Sequence, residues 1–102
     1  MKKITRQAIQ AFTYNRNFKK SNTEVKYSCV ENYPSSWKCE LFLFGNLIAY
    51  KDCHGFFISS GGWETVTTKE RLNGFDNVHI YQKNYRWILN GRSWNGKWQE
   101  IQ

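Results

Sequence analysis

Residues 61–75, GGWETVTTKERLNGF, carry a short helical signal inside a chain that otherwise reads as turn-punctuated strands. Thr67 followed three residues later by Glu70 is a capping-box pattern, in which each side chain satisfies the other's backbone N–H. Glu64 and Glu70 place negative charge near the predicted helix start, where the macrodipole favours it. Gly74, after Asn73, stands where a left-handed C-terminal residue is wanted. A helix of about two turns cannot be held by propensity, so it is expected to dock through Val66, Leu72 and Phe75. It then serves as a lid on a sheet and as the corner between two sheet segments.

On either side lie β-hairpins. In residues 37–52 Gly45-Asn46 reads as a two-residue turn. That register pairs Leu43 with Ile48, Leu41 with Tyr50 and Glu40 with Lys51, setting opposite charges across the ladder. It predicts a core face of Trp37, Cys39, Leu41, Leu43, Ile48 and Tyr50. The opposite face, with Phe42, Phe44, Leu47 and Ala49, is also apolar near the turn and is expected to lie under the N-terminal helix. A second turn falls within Asp52–Gly55, and residues 56–60 return as a strand. Residues 78–90 form another hairpin turning near Lys83-Asn84. Val78, Ile80, Tyr85, Trp87 and Leu89 share one of its faces, and His79, Tyr81, Arg86 and Ile88 the other. Asn90-Gly91 and Asn95-Gly96 mark further turns, with Ile101 closing the core.

Before these, residues 4–14 read as an amphipathic helix with Ile4, Ala8, Ala11 and Phe12 on one stripe. Phe18 tucks under it, Lys19–Asn22 is a basic loop, and a strand begins at Thr23. The reading is a single α+β domain: an antiparallel sheet of five to seven strands, an N-terminal helix and one short central helix.

Aromatic residues, 18% of the chain, supply a core without many aliphatics. Trp37 and Trp87 are assigned to it. The most apolar run, residues 41–50, falls well short of the about 20 residues a membrane span needs. The first residues have no apolar stretch behind their basic ones, so no secretory signal is read there and the expected setting is the cytosol. Cys29, Cys39 and Cys53 are then expected as reduced thiols buried in strands. Of the net charge of +7, residues 1–26 hold +6, from seven basic side chains and Glu24. That field suits anionic partners.

The stretches GWETVTTKERLNGF (62–75) and IYQKNYRWILNGRSWNGKW (80–98) resemble a group of small proteins encoded by tailed bacteriophages. So do the start of the chain (Met1–Phe12), the basic Phe18-Lys19-Lys20 segment, Asn22–Val25 and the hairpin Leu43–Ala49. The loop 31–36 and the corner Cys53-His54 depart from the group's pattern. The resemblance implies a phage or prophage origin and the host cytoplasm as setting. It implies no activity.

No sequence-local nucleophile–base arrangement, phosphate-cradling loop or metal-ligand spacing is found; Asp52-Cys53-His54 comes nearest. The chain is therefore expected to be non-enzymatic, without cofactor or metal. Trp63, Lys69, Arg71, Tyr81, Arg86 and Trp94 are the candidate surface for a host bacterial protein, since Trp, Tyr and Arg dominate protein hot spots. The alternative is DNA or RNA binding through Lys2, Lys3, Arg6, Arg16, Lys19 and Lys20. No membrane contact is expected, and oligomeric state is not readable from the sequence.

Overall fold

The computed structural model describes residues 1–102. In chain order the elements are α1 (Lys3–Thr13), β1 (Phe18–Lys20), β2 (Thr23–Ser28), a 3-10 turn (Pro34–Ser36), β3 (Lys38–Leu43), β4 (Asn46–Asp52), β5 (Gly55–Ile58), α2 (Val66–Leu72), β6 (Ile80–Lys83), β7 (Arg86–Leu89), β8 (Arg92–Trp94) and β9 (Gln99–Ile101). Strands β1 to β5 form an antiparallel meander, and β9 returns to pair with β5. Strands β6 to β8 make a second, three-stranded sheet, referred to below as the arm. The α+β class is as expected, but nine strands are divided between two sheets where one sheet of five to seven was predicted.

Helix α1 buries Thr5, Ala8, Ala11 and Phe12 against the inner face of the six-stranded sheet. It ends in a Schellman motif: Asn15 is left-handed at φ 56°, Asn15 N–H donates to the Phe12 carbonyl, and Arg16 N–H donates to that of Ala11 at 2.8 Å. Phe12, Phe56 and Phe75 meet there with ring centroids 4.8–5.8 Å apart, joining α1, β5 and the segment after α2. They belong to one cluster in which Val25, Leu41, Ile48, Ile58 and Leu72 are all but inaccessible.

The β3–β4 hairpin departs from its predicted register. Its turn is Phe44-Gly45, both residues with positive φ, and Leu43 faces Asn46. Leu41 then faces Ala49 and Phe42 faces Leu47, so Ile48 is an extra residue in β4, a β-bulge. Consecutive Ile48 and Ala49 are consequently both buried, and Lys51 faces Cys39 in place of Glu40. Helix α1 lies on the Cys39–Leu41 face, not over Phe42 and Phe44; the Cys39 thiol contacts the Phe12 carbonyl at 3.6 Å. No helix covers the other face, where Tyr50 stacks on Phe57 and meets Trp98 edge-on. Lys19 and Lys20, expected in a loop, lie in edge strand β1. Trp37 is only half-buried.

In the arm, Asn84-Tyr85 and Asn90-Gly91 are left-handed turn pairs. Tyr85 is therefore at the hairpin tip and exposed, not on the core face. Trp87 and Trp94 face each other across β7 and β8 and are buried. The Asn73 side chain fastens this sheet to α2, donating to the Ile80 carbonyl at 2.8 Å and accepting its N–H at 2.6 Å.

Candidate functional site

A cleft of about 320 Å³ opens between the β3–β4 turn and the start of α2, lined by Leu43, Phe44, Asn46, Ser60, Trp63, Thr65 and Thr68. Its two aromatic rims face solvent: Phe44 is 67% exposed and Trp63 is 63% exposed. Each sits on a specified piece of backbone. Phe44 has φ +52°, a conformation bulky side chains rarely hold, and its N–H donates to the Asn22 carbonyl at 2.8 Å. Trp63 follows the left-handed pair Gly61-Gly62. The hydroxyls of buried Ser59 and Ser60 accept the N–H groups of Gly61 and Gly62, and Trp63 N–H donates to the Ser60 carbonyl. Gly61 suits its φ of +68°, and a Cβ there would also sit tightly, 3.1 Å from Ile48.

The cleft floor is chemically quiet. Thr65, not Thr67, is the N-cap of α2: its hydroxyl accepts Thr68 N–H at 3.1 Å and lies 3.0 Å from the Thr68 hydroxyl. None of the seven lining residues is titratable. Trp63-Glu64-Thr65 separates the glycine pair from α2, which starts at Val66. Val66, expected to dock, is 77% exposed; Leu72 and Phe75 carry the docking.

Glu70, predicted to cap α2, reaches across to α1 instead. Its carboxylate accepts the N–H of Lys2, the N-cap of α1, at 3.3 Å, together with the Thr5 hydroxyl and Arg71. Burial raises the Glu70 pKa, but those hydrogen bonds outweigh it and the net shift is downward. Arg71, predicted on the surface, is 4% exposed. Its guanidinium donates to Thr23 Oγ1 at 3.0 Å, to Thr5 Oγ1 at 2.9 Å and to the Glu70 carboxylate. Arg71 thus ties α1, α2 and β2 together. Gly74 is not left-handed; a Cβ there would stand 2.7 Å from both Ile9 and Thr5, so its role is the close approach of α1.

Of the six residues proposed for a partner surface, Trp63 lies in the cleft, Lys69 is half-buried on α2, and Tyr81 and Arg86 share the outer face of the arm. Arg71 and Trp94 are interior, and Trp94 Nε1 donates to the Lys97 carbonyl at 2.9 Å. Of the basic set, Lys2, Lys3 and Arg6 are exposed on α1 and Arg16 lies over the Tyr14 ring. The β1–β2 register points Lys19 to the uncovered sheet face with Glu24 and Lys20 to the α1 side with Thr23, so the set does not share one surface. Phe44 escaped the sequence reading because alternation assigned it to a strand; an aromatic beside the hairpin glycine was the available signal.

The cysteines do not form a reactive centre. Cys39 is buried, and burial pushes its thiol pKa up, away from thiolate chemistry. Burial lowers that of its cross-strand partner Lys51, whose ammonium donates to the Thr13 carbonyl at 3.2 Å. Cys29 and Cys53 are exposed, contrary to the expectation of buried strand thiols, and Cys53-His54 is the tip of the β4–β5 turn. No three His, Cys, Asp or Glu side chains come together in a way that could hold a metal ion.

All of the fold but the last residue of β9, cleft and Arg71 cluster included, falls within a match to the family model described as Kyanoviridae Gp96 protein, over residues 1–100. The chain belongs to this family. It is thus a phage protein, in keeping with the resemblance read from its motifs. Comparison with curated proteins and with solved structures gives no match. No helix of this family member is long and apolar enough to cross a membrane.

Proposed function

We propose that this phage protein works without catalysis, in the host cytoplasm, by binding a host bacterial protein involved in defence or gene expression. The contact we assign is the Phe44–Trp63 cleft. The observation that carries this reading is the pair of exposed aromatic rims around an apolar cleft of about 320 Å³, held by strained and glycine-specified backbone. A cleft this small suits one anchoring side chain of a partner, the arrangement found at protein hot spots. The absence of any titratable lining group speaks for adhesion over acid–base chemistry. Membership of a phage family supports a partner in the host cell.

The test is affinity capture from host lysate, with and without nuclease, using the natural chain and Trp63→Ala. One discrete host protein, retained after nuclease and lost with Trp63→Ala, is the expected result. Recovery of that protein undiminished by Trp63→Ala would remove the cleft from the interface. Recovery of nothing once nuclease is added would sink the protein-binding reading.

A further inference from the structure

The arm, like residues 1–23, carries basic side chains and no acidic one. Between Asp76 and Glu100 there is no acidic residue, while Lys83, Arg86, Arg92 and Lys97 contribute +4. Lys83 and Arg86 face each other directly across the β6–β7 ladder, both exposed. Like charges in that position destabilise a sheet. No ion pair relieves them: the ion pairs in the structure are Lys38–Glu40 and Arg71–Glu70. With Asn84, Ile88 and Ser93 the two cations line a shallow hollow of about 390 Å³.

Two aromatic rings accompany the cations. Tyr81 stands on the same face, opposite Ile88, and is half-exposed. Tyr85, at the turn, is 96% exposed and has φ +67°. Asparagine or glycine would hold that conformation more easily. A cation pair retained against its own repulsion, flanked by exposed planar rings, matches an anion that also carries planar groups. We infer that the outer face of the arm binds single-stranded nucleic acid, with phosphates at Lys83 and Arg86 and bases stacked on Tyr81 and Tyr85. Single strands are specified because a ring can stack only on a base that is not already enclosed in a duplex. The site shares no residue with the Phe44–Trp63 cleft, so either can fail alone. It also differs from the N-terminal basic set.

The test is fluorescence anisotropy with labelled oligo(dT) and oligo(U) of about 12 nucleotides, a length within the usual single-strand footprint, titrated at several salt concentrations. The two probes separate DNA from RNA as the source. Lys83→Glu with Arg86→Glu is expected to weaken binding at least about tenfold and to flatten the log–log salt slope by roughly 1.4, two phosphate contacts on a single strand. Tyr85→Ala is expected to weaken binding by about tenfold with the slope unchanged, because stacking releases no counterions. All three side chains are exposed, so folding is preserved, and circular dichroism checks it. Lys2→Glu with Lys3→Glu is the comparison. No binding to either probe overturns the inference. So does a slope flattened by the Lys2/Lys3 pair and untouched by the Lys83/Arg86 pair. Binding of poly-glutamate as tight as oligo(U) and indifferent to Tyr85→Ala also overturns it, since the site would then recognise charge alone.

Discussion

Two clusters border α2 and break the inside–outside rule in opposite directions. One places a guanidinium in the interior, at Arg71. The other leaves Phe44 and Trp63 in solvent around an apolar cleft. The first departure is compensated locally: Thr5, Thr23 and Glu70 accept Arg71's donors, and Glu70 also caps α1. A buried charge so satisfied has a structural purpose, here the joining of three elements. The second departure has no such compensation. The rings pay no visible dividend to the fold, and Phe44 adds backbone strain. An uncompensated cost points outside the molecule. The pair therefore separates a residue type that suggested binding, Arg71, from residues whose environment supports it, Phe44 and Trp63.

The sharpest way to break this contrast is Arg71→Ala. It leaves the Glu70 carboxylate without its cation and removes donors from two threonine hydroxyls. A stability loss of about 3 kcal/mol is expected, at the lower end for a broken buried pair because Glu70 is partly solvated. Urea unfolding of the purified chain measures it. Arg71→Lys should recover only part, since an ammonium cannot reproduce the forked set of bonds. Binding through the cleft should persist wherever the variant is still folded. Next in size is Gly74→Ala, which pushes a methyl against Ile9 and Thr5 and should cost about 1–3 kcal/mol by the same measurement. A neutral result would show that α1 moves freely over α2, and the tie through Arg71 would then be weaker than drawn.

These residues also show how far local pattern carries. The amphipathic period of residues 4–14 and the turn signals at residues 52–55 and Asn90-Gly91 located their elements, because those rules act within a few residues. The capping box was misplaced by two positions because Thr65 and Thr67 both stand three residues before a plausible partner. What decides between them is the pull of Lys2 and Thr5 on Glu70, some 65 residues distant in sequence. Arg71 looked like surface for the same reason; its partners Thr5 and Thr23 lie 66 and 48 residues away. The β3–β4 register was offset because the turn is Phe44-Gly45 and not Gly45-Asn46, which concealed Phe44 at the tip; the bulge at Ile48, which alternation cannot signal, shifts the pairing again beyond it. Trp63 was legible as a candidate because nothing in its local sequence gave it a core duty.

Acid distinguishes the two clusters without touching the cleft. Glu70's folded pKa lies below its ordinary value of 4.5, since hydrogen bonds from Thr5, the Lys2 N–H and Arg71 outweigh the burial that raises it. A depressed carboxylate stabilises the fold above its unfolded value, and that contribution is lost as pH falls through the folded one. Urea midpoints should therefore decline as pH drops below about 4.5, and Glu70→Gln should flatten that decline. The cleft has no titratable lining, so it adds nothing to the slope. An acid limb unchanged by Glu70→Gln would place the titration elsewhere, among the remaining carboxylates.

The smallest expected change is the most discriminating. Phe44→Asn converts the β3–β4 turn to Asn-Gly, the pair that two left-handed positions favour. If the ring serves only a partner, the substitution relieves strain and should raise stability by about 0.5–1 kcal/mol, read as a higher thermal midpoint. The same variant should lose capture of the host protein, as Trp63→Ala does. Gain in stability with loss of binding is the signature of a residue kept for function at the expense of the fold. A drop in stability would mean that the Phe44 ring packs usefully on Leu43 or Trp63 within the free protein. The exposed cluster would then be compensated like the buried one, and the contrast between them would no longer single out the cleft.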